Sequence, residues 1–304
     1  MRPDGTTVRG LSVAVVTPMT PEGEVDFPGL RKHARWLVEN GVDVLMPCGT
    51  TGEGVTLDPA EQVRVVEECV EAANGRVPVF AGAGSNWTKT AQELARGAAA
   101  AGADGLLCAT PAYNKPSQEG LYRHFTEVVE AGGGLPVVLY NVPGRTAVNL
   151  LPETVFRLAR MEPVIGVKEA CGDIDQIQTV LRDRPEGFLV LAGDDSFALP
   201  VMALGGDGVV SVVGNEAPRL MADLVGHALA GDFTAARKIH ERLLPLMRAN
   251  FIESNPVPAK TALEMMGRMG AQTRLPLVPL KPESREILRR AMVDAGLMEG
   301  DADA

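Results

Sequence analysis

The sequence has few of the residues on which disulfide-bonded, zinc-binding or membrane proteins depend. It contains four cysteines and four histidines in 304 residues, with no C-x-x-C pair and no cluster at metal-ligand spacing. No run of about eighteen apolar residues occurs, and residues 1–10 lack the apolar segment of a signal peptide. We therefore expect a reduced, cytoplasmic protein without a metal, a cofactor or a membrane span, whose core needs no cross-links.

Positive charge is also scarce. The net charge is -10, the sequence pI is about 5.0, and Lys and Arg form no run. Such a field repels nucleic acids and other polyanions, so we expect a small-molecule substrate and no nucleic-acid partner. An anionic substrate would need local cationic groups, and Arg145 and Lys168 are the candidates.

Short apolar runs recur along the chain, separated by helix-like stretches. Their near-continuous hydrophobicity is typical of parallel strands that are covered on both faces. Eight runs are found, at 11–17, 42–48, 78–84, 105–110, 136–141, 164–170, 188–193 and 208–213. Eight strand and helix units predict an α/β fold of the (β/α)8 TIM-barrel type, and a doubly wound sheet is the alternative.

The predicted barrel, 8–228, is followed by a C-terminal helical extension, 229–298, and a disordered tail, 299–304. Helices are expected at 60–73, 89–101, 118–130, 232–250, 256–269 and 283–295. Residues suited to cap four of them precede the helices: Asp58, Asn86 or Thr88, Ser117, and Asn255 with Pro256 at the first helical position.

Working residues of such a barrel come from the C-terminal ends of its strands. The run 164–170 ends with Lys168, and strand alternation divides its side chains into an inner set (Val164, Gly166, Lys168) and an outer set (Ile165, Val167, Glu169). Apolar surroundings disfavour an ammonium, and a neutral amine condenses with a carbonyl. The structural alternative is an ion pair of Lys168 with Glu169 or Asp194.

Other polar residues follow strand ends. Tyr140 should face inward level with Lys168, where its phenol can relay protons. Thr50 and Thr51 lie in a glycine-flanked turn that can receive a carboxylate, and the Arg145 guanidinium can hold one bidentately. Their ordinary alternatives are a core tyrosine, a plain turn and a solvated arginine.

Two other features argue against further chemistry. The GAG at 82–84 begins like a dinucleotide fingerprint, but Trp87 stands where the third glycine should be, and no phosphate-binding P-loop occurs. All four histidines fall in predicted helices, which disfavours a histidine triad or zinc site: His33, His124, His227 and His240.

Four motifs together resemble the dihydrodipicolinate synthase and N-acetylneuraminate lyase family. They are GTTGE at 49–53, YNVP at 140–143, KEA at 168–170 and GDD at 193–195, in the family's order and spacing. The resemblance covers about 10–296 and implies a TIM-barrel lyase that works as a class I aldolase. By this resemblance Lys168 forms an imine with pyruvate, and Tyr140 donates and accepts the protons.

The resemblance also assigns the surroundings of that lysine. It implies that the pyruvate carboxylate rests on Thr50 and Thr51 and that Gly193 and Val210 line the pocket. Thr50 would connect the catalytic tyrosine to Tyr113, which in this family reaches in from a neighbouring subunit. A homo-oligomer follows, with a dimer of dimers as the usual family assembly.

Arg145 favours one branch of the family. The segment 140–146 resembles the loop of members that condense pyruvate with L-aspartate 4-semialdehyde, where the arginine holds the semialdehyde carboxylate. Segments 113–120 and 253–260 resemble the same members. The implied product is 4-hydroxy-tetrahydrodipicolinate, in diaminopimelate and lysine biosynthesis.

Three alternatives to this function remain. The nearest is another class I aldolase of the family, acting on an acylneuraminate or a keto-deoxy sugar acid. A keto-acid sensor without chemistry would not need Lys168, Tyr140, Thr50 and Tyr113 together. A metal-dependent class II aldolase needs ligands that the sequence lacks.

One departure from the family concerns regulation. Of the effector-site residues of lysine-inhibited members, this chain retains Asn86. Those members also bind lysine with a histidine, a second polar residue, a glutamate and a tyrosine. The corresponding positions here are Pro59, Gln62, Thr90 and Ala112. We therefore expect weak or no feedback by lysine.

Overall fold

The computed structural model describes residues 8–299 and shows eight parallel strands arranged as a nearly closed barrel. The strands are β1 (Gly10–Ala14), β2 (Val44–Met46), β3 (Phe80–Gly82), β4 (Gly105–Ala109), β5 (Val137–Asn141), β6 (Val164–Glu169), β7 (Leu189–Ala192) and β8 (Gly208–Ser211). β1 pairs with β8, and a bridge between Leu45 and Val79 joins β2 to β3. Because neighbours follow chain order around a ring, the TIM-barrel prediction is confirmed and the doubly wound alternative is wrong.

Helices cover the outside of the barrel. They are α1 (Phe27–Glu39), α2 (Pro59–Ala73), α3 (Thr88–Ala100), α4 (Gln118–Ala131), α5 (Pro143–Thr146), α6 (Pro152–Leu158), α7 (Ile174–Asp183), α8 (Ala198–Ala203), α9 (Pro218–Leu229), α10 (Phe233–Ala249), α11 (Val257–Met265) and α12 (Pro282–Asp294). In the described part of the chain, no helix combines the length and apolar character that crossing a membrane requires.

Two of the predicted helix caps are confirmed. The Asp58 carboxylate accepts the Glu61 N–H at 2.8 Å, and Glu61 returns the bond to the Asp58 N–H, which makes a capping box. Ser117 caps α4 by accepting the Gly120 N–H. Both caps fix the point at which the chain leaves a strand-end loop and enters a helix.

The other two predicted caps are wrong. α3 begins after Trp87 and has no side-chain cap, so neither Asn86 nor Thr88 serves as one. At α11 the cap position is taken by Pro256, while the Asn255 side chain donates to Thr51. A tertiary contact has outcompeted the local capping bond.

The barrel has an apolar interior and an apolar shell between strands and helices. The inner cluster includes Met46, Phe80 and Tyr140, and the larger outer cluster joins the opposite strand faces to the helices. The register slips at the start of β6, where Val137 pairs with Val164 but Val138 pairs with Gly166. Such a bulge inserts one residue and reverses the alternation on one side of it.

This bulge corrects two predicted orientations. Val164 packs in the outer cluster, and Ile165 packs against the inner one, the reverse of the simple alternation. Beyond the bulge the prediction holds, since Gly166 and Lys168 are in register with the inner residues Val138 and Tyr140. The irregularity therefore leaves the functional end of the strand correctly oriented.

The C-terminal helices pack onto the barrel. α10 lies against α9 and α12, and α11 reaches the ends of β1 and β8, where Ala259 and Leu263 pack with Val16 and Val212. The boundary between barrel and extension at 228/229 stays a prediction. Residues 300–304 of the predicted tail lie outside the described residues.

Candidate active site

Lys168 lies at the inner face of the barrel, where β6 ends. Its side chain is 5% exposed, and its Nζ lies 4.1 Å from the ring centroid of Tyr140. Across residues 8–299, Lys168 forms no ion pair with a carboxylate, so the alternative of a pairing with Glu169 or Asp194 is not found. A buried amine beside an aromatic ring remains available for chemistry.

Tyr140 sits on the neighbouring strand at the same level. Its Cα is in register with that of Lys168, as the sequence predicted, and its side chain is buried. Within the described residues, no hydrogen bond joins the Tyr140 hydroxyl to Thr50. The proton relay through Thr50 therefore stays a prediction.

The turn after β2 carries both predicted threonines. Thr51 is buried and Thr50 is partly exposed. Close packing restricts Gly52 and Gly54, because an added Cβ would lie 2.9 Å from the Val15 carbonyl oxygen and 2.2 Å from that of Cys48, respectively, whereas Gly49 has open space. The Thr17 hydroxyl donates to the Gly52 carbonyl at 2.7 Å, which ties this turn to the end of β1.

Residues from the C-terminal region also hold this turn. Asn255 Nδ2 donates to Thr51 Oγ1 at 3.0 Å, and Lys260 Nζ donates to Glu53 Oε1 at 2.7 Å. Burial lowers the pKa of Lys260, while the neighbouring Glu53 carboxylate opposes that shift. The sequence reasoning gave Thr51 a role at the site but gave none to Asn255, Lys260 or Glu53.

A loop pair at the barrel mouth carries Arg145 and Tyr113. Arg145 is exposed on the short helix α5, and among the described residues its guanidinium has no ion-pair partner. The Tyr113 N–H donates to the Thr146 carbonyl at 3.2 Å, so the two loops are joined. Tyr113 has a positive φ of 72° and is 88% exposed, which is unusual for a bulky aromatic residue in one subunit.

The ends of β7 and β8 complete the surroundings of the lysine. Gly193 packs so closely that an added Cβ would lie 2.7 Å from that of Ala170, and Val210 belongs to the inner cluster. Burial raises the pKa of Asp194, and the positive charge of Lys168 opposes the shift, which places this carboxyl in the field of the amine.

Asp195, the last residue of the GDD motif, has a structural role. Its carboxylate accepts the Ser211 hydroxyl at 2.5 Å and the N–H groups of Val212 and Val213 at 2.9 and 3.0 Å. These bonds hold the end of β8 against β7. Within the described residues, no group of three or more His, Cys, Asp or Glu side chains could hold a metal ion.

An outer network positions the two strands that carry the lysine and tyrosine. Asn141 Nδ2 donates to Glu169 Oε1 at 2.7 Å, and Asn141 Oδ1 accepts the Leu150 N–H at 2.9 Å. Asn141 directly follows Tyr140 in the chain, and Glu169 directly follows Lys168. Burial raises the pKa of Glu169 to about 7, although its hydrogen bonds with Asn141 oppose the shift.

A single clue in the sequence pointed to the missed C-terminal contacts. All seven residues at 257–263 are buried, and Lys260 is the one charged residue among them. A lysine in such a buried segment requires a buried partner. The sequence cannot say that the partner is Glu53, because that residue lies 207 positions earlier.

Comparison with known proteins agrees with this geometry. The model of the dihydrodipicolinate synthetase family matches residues 7–295. The 4-hydroxy-tetrahydrodipicolinate synthase of Koribacter versatilis is 48% identical over 293 residues, 96% of this chain and 97% of the relative. That of Syntrophus aciditrophicus is 48% identical over 290 residues, 95% and 99% of the two chains.

Solved structures give the same result. A crystal structure of a dihydrodipicolinate synthase, 48% identical, matches with a TM-score of 0.92 over 95% of this chain and 100% of the other. The chloride-inhibited enzyme from Acinetobacter baumannii, solved with pyruvate, is 42% identical with a TM-score of 0.93 over 96% and 100% of the two chains.

The barrel and these relatives thus define an aldolase-type lyase on a TIM-barrel fold. Within that class, the chain belongs to the dihydrodipicolinate synthetase family, which the family model and the relatives show over nearly its whole length.

Proposed function

We propose that this protein condenses pyruvate with L-aspartate 4-semialdehyde to form 4-hydroxy-tetrahydrodipicolinate, a step of diaminopimelate and lysine biosynthesis. The observation that carries the proposal is the buried amine of Lys168, which forms no ion pair among residues 8–299 and lies beside Tyr140, with Nζ 4.1 Å from the ring centroid. The names of the relatives support the same reaction.

The first half of the reaction uses the amine. Nζ of Lys168 gives up its proton and attacks the pyruvate ketone, and loss of water gives an imine. The turn at Thr50 and Thr51 receives the pyruvate carboxylate, with Gly193 and Val210 shaping the pocket. A methyl proton is then removed through Tyr140, and the electron pair of the broken C–H bond forms an enamine.

The second half forms the carbon–carbon bond. The enamine carbon attacks the semialdehyde carbonyl, and the resulting alkoxide takes a proton through Tyr140. The semialdehyde amine then attacks the imine carbon, which releases Lys168 and closes the ring. Arg145, exposed and without an ion-pair partner among residues 8–299, holds the semialdehyde carboxylate bidentately.

Assembly completes the proposal. Tyr113 belongs to the site of a neighbouring subunit, which explains why so large a ring is exposed at the barrel mouth. The working form is then a homo-oligomer, a dimer of dimers in the cytoplasm. One 42% identical relative of known structure is a monomeric dihydrodipicolinate synthase variant, so family membership alone does not fix the assembly.

Lysine feedback is proposed to be weak or absent. The Gln62 amide, at one of the altered effector positions, already donates to the Gly54 carbonyl at 2.8 Å. Pro59 offers no side-chain hydrogen bond at all. Half-inhibition at submillimolar lysine would contradict this part of the proposal.

A coupled assay distinguishes the proposed reaction from its nearest alternative. Pyruvate is supplied with L-aspartate 4-semialdehyde, with N-acetylmannosamine, or with a sugar aldehyde, each with and without EDTA. The proposal expects turnover with the semialdehyde alone and no loss with EDTA. Turnover with a sugar aldehyde instead would assign the protein to the other aldolases of the family.

A further inference from the structure

A buried ion pair joins α11 to the turn after β2. Lys260 Nζ donates to Glu53 Oε1 at 2.7 Å, and the two side chains are 0% and 1% exposed. Replacing a buried ion pair by apolar side chains of similar volume is often neutral or stabilising. The stability of the core therefore gives little reason for a charged pair at this place.

Glu53 is the residue whose backbone closes the turn. Its φ of 54° is left-handed, which costs a residue other than glycine about 1 kcal/mol. Its N–H donates to the Thr50 carbonyl at 3.1 Å, and its Oε2 accepts the Arg274 N–H at 3.2 Å. Both carboxylate oxygens are thus held by the C-terminal region, which keeps the strained turn closed.

A second contact sets the direction of a hydroxyl in the same turn. Asn255 Nδ2 donates to Thr51 Oγ1 at 3.0 Å. A hydroxyl has one hydrogen and two lone pairs, so this bond occupies a lone pair and leaves the hydrogen to be donated. A threonine fixed in this way is a hydrogen-bond donor, which is what a carboxylate needs.

We propose that Glu53, Lys260 and Asn255 are positioning residues for the carboxylate of the keto acid. The ion pair fixes the turn that carries Thr50 and Thr51, and Asn255 orients the Thr51 hydroxyl as a donor. The inference rests on the proposed function, because it assumes that this turn receives the pyruvate carboxylate. The C-terminal region then acts on substrate affinity although none of the three residues performs the chemistry.

Two variants test the inference. Asn255→Ala removes the bond to Thr51 and leaves the ion pair, whereas Lys260→Met combined with Glu53→Gln makes the pair neutral without leaving one charge buried alone. Pyruvate affinity is measured by borohydride trapping over a range of pyruvate concentrations, and steady-state kinetics give kcat and both KM values. Circular dichroism checks that each variant is folded.

Glu264→Gln is the matched control. Glu264 lies on the same helix, and its carboxylate pairs with Arg285 at 3.0 Å on the exposed side, away from the turn. For Asn255→Ala and for the double variant, we expect the KM for pyruvate to rise about tenfold, and the pyruvate concentration that gives half-maximal trapping to rise equally. The KM for the semialdehyde should stay within about twofold of wild type. The control should keep both values.

Other outcomes overturn the inference. If both folded variants keep wild-type pyruvate constants, or if both KM values rise together, the contacts are structural and do not position the carboxylate. If the double variant does not fold, Asn255→Ala alone decides. If wild-type protein traps no pyruvate, the proposed function fails and this inference falls with it, so the two failures are distinguishable.

Discussion

Arg145 is the exposed side chain that we propose selects the second substrate. This arginine lies on α5, and its charged side chain is exposed to solvent in a protein of net charge -10. A cation in that position provides a local attraction for an anion that the overall field would repel.

Arg145→Ala should separate the two substrates. Hydrogen bonds to charged groups contribute about 1.5 to 3 kcal/mol, so KM for L-aspartate 4-semialdehyde should rise by roughly 10- to 100-fold. Trapping of pyruvate should not change, because the first half-reaction does not use the guanidinium. Arg237→Ala, an exposed arginine beside Glu241, is the control. Equal losses for both substrates would argue against the assigned role.

Glu169 should make stability depend on pH. Its pKa is raised to about 7 in the folded protein, so the folded state holds its proton more tightly than the unfolded state does. Protonated Glu169 therefore adds at most about 3 kcal/mol to the free energy of unfolding. This stabilisation is complete below the unfolded pKa near 4.5 and is lost as pH rises through 7. Relative to wild type, Glu169→Gln should therefore become more stable between pH 5 and 8.

Denaturant unfolding at fixed protein concentration measures this difference. The Gln side chain can keep a hydrogen bond with Asn141 but does not titrate. The unfolding free energies of wild type and variant are then plotted against pH. Plots that stay parallel from pH 5 to pH 8 would show that Glu169 is ionised throughout this range.

At the scale of elements, strand existence was predictable and strand irregularity was not. Each apolar run produced a strand, because burial on both faces leaves a hydrophobic pattern that local sequence carries. The bulge at the start of β6 depends on how Val137 and Val138 pair with the next strand, which no single segment encodes. Lys168 was nevertheless oriented correctly because it lies beyond the bulge.

Gly166→Ala tests the packing of that element. An added Cβ would lie 2.6 Å from the Leu189 carbonyl oxygen, so β6 and β7 would have to separate two residues before Lys168. We expect a loss of about 2 kcal/mol in unfolding free energy and slower pyruvate trapping. Gly226→Ala, at an open position of α9, should instead be neutral or stabilising by up to about 1 kcal/mol. Equal effects of the two substitutions would refute this account.

At the scale of the whole molecule, the site combines residues from distant parts of the chain. Lys168, Tyr140 and Thr51 were predicted as site residues from their places at strand ends, because barrel geometry collects those ends at one face, and Arg145 was predicted from the loop after β5. Asn255 was assigned to a helix cap instead, since its true partner lies 204 positions away. Contacts of that kind follow from the assembled fold and leave no periodic pattern.

Subunit complementation tests the proposed assembly. Tyr113→Phe and Lys168→Ala chains, each inactive alone, are co-expressed with different tags, and the mixed dimer is purified. If Tyr113 serves the neighbouring subunit, one site of the dimer has both residues, and activity should be about half that of wild type. A mixed dimer as inactive as its parents would place Tyr113 within its own subunit's site. A Tyr113→Phe chain that is active alone would place Tyr113 outside any site.

The central claim is that Lys168 is the amine that captures pyruvate. The most direct test is borohydride reduction of the protein with pyruvate, followed by mass spectrometry and peptide mapping, with Lys168→Arg in parallel. The account predicts one pyruvate-sized adduct per chain on Lys168 and none in the variant. No adduct, or an adduct on another lysine such as Lys260, would contradict it.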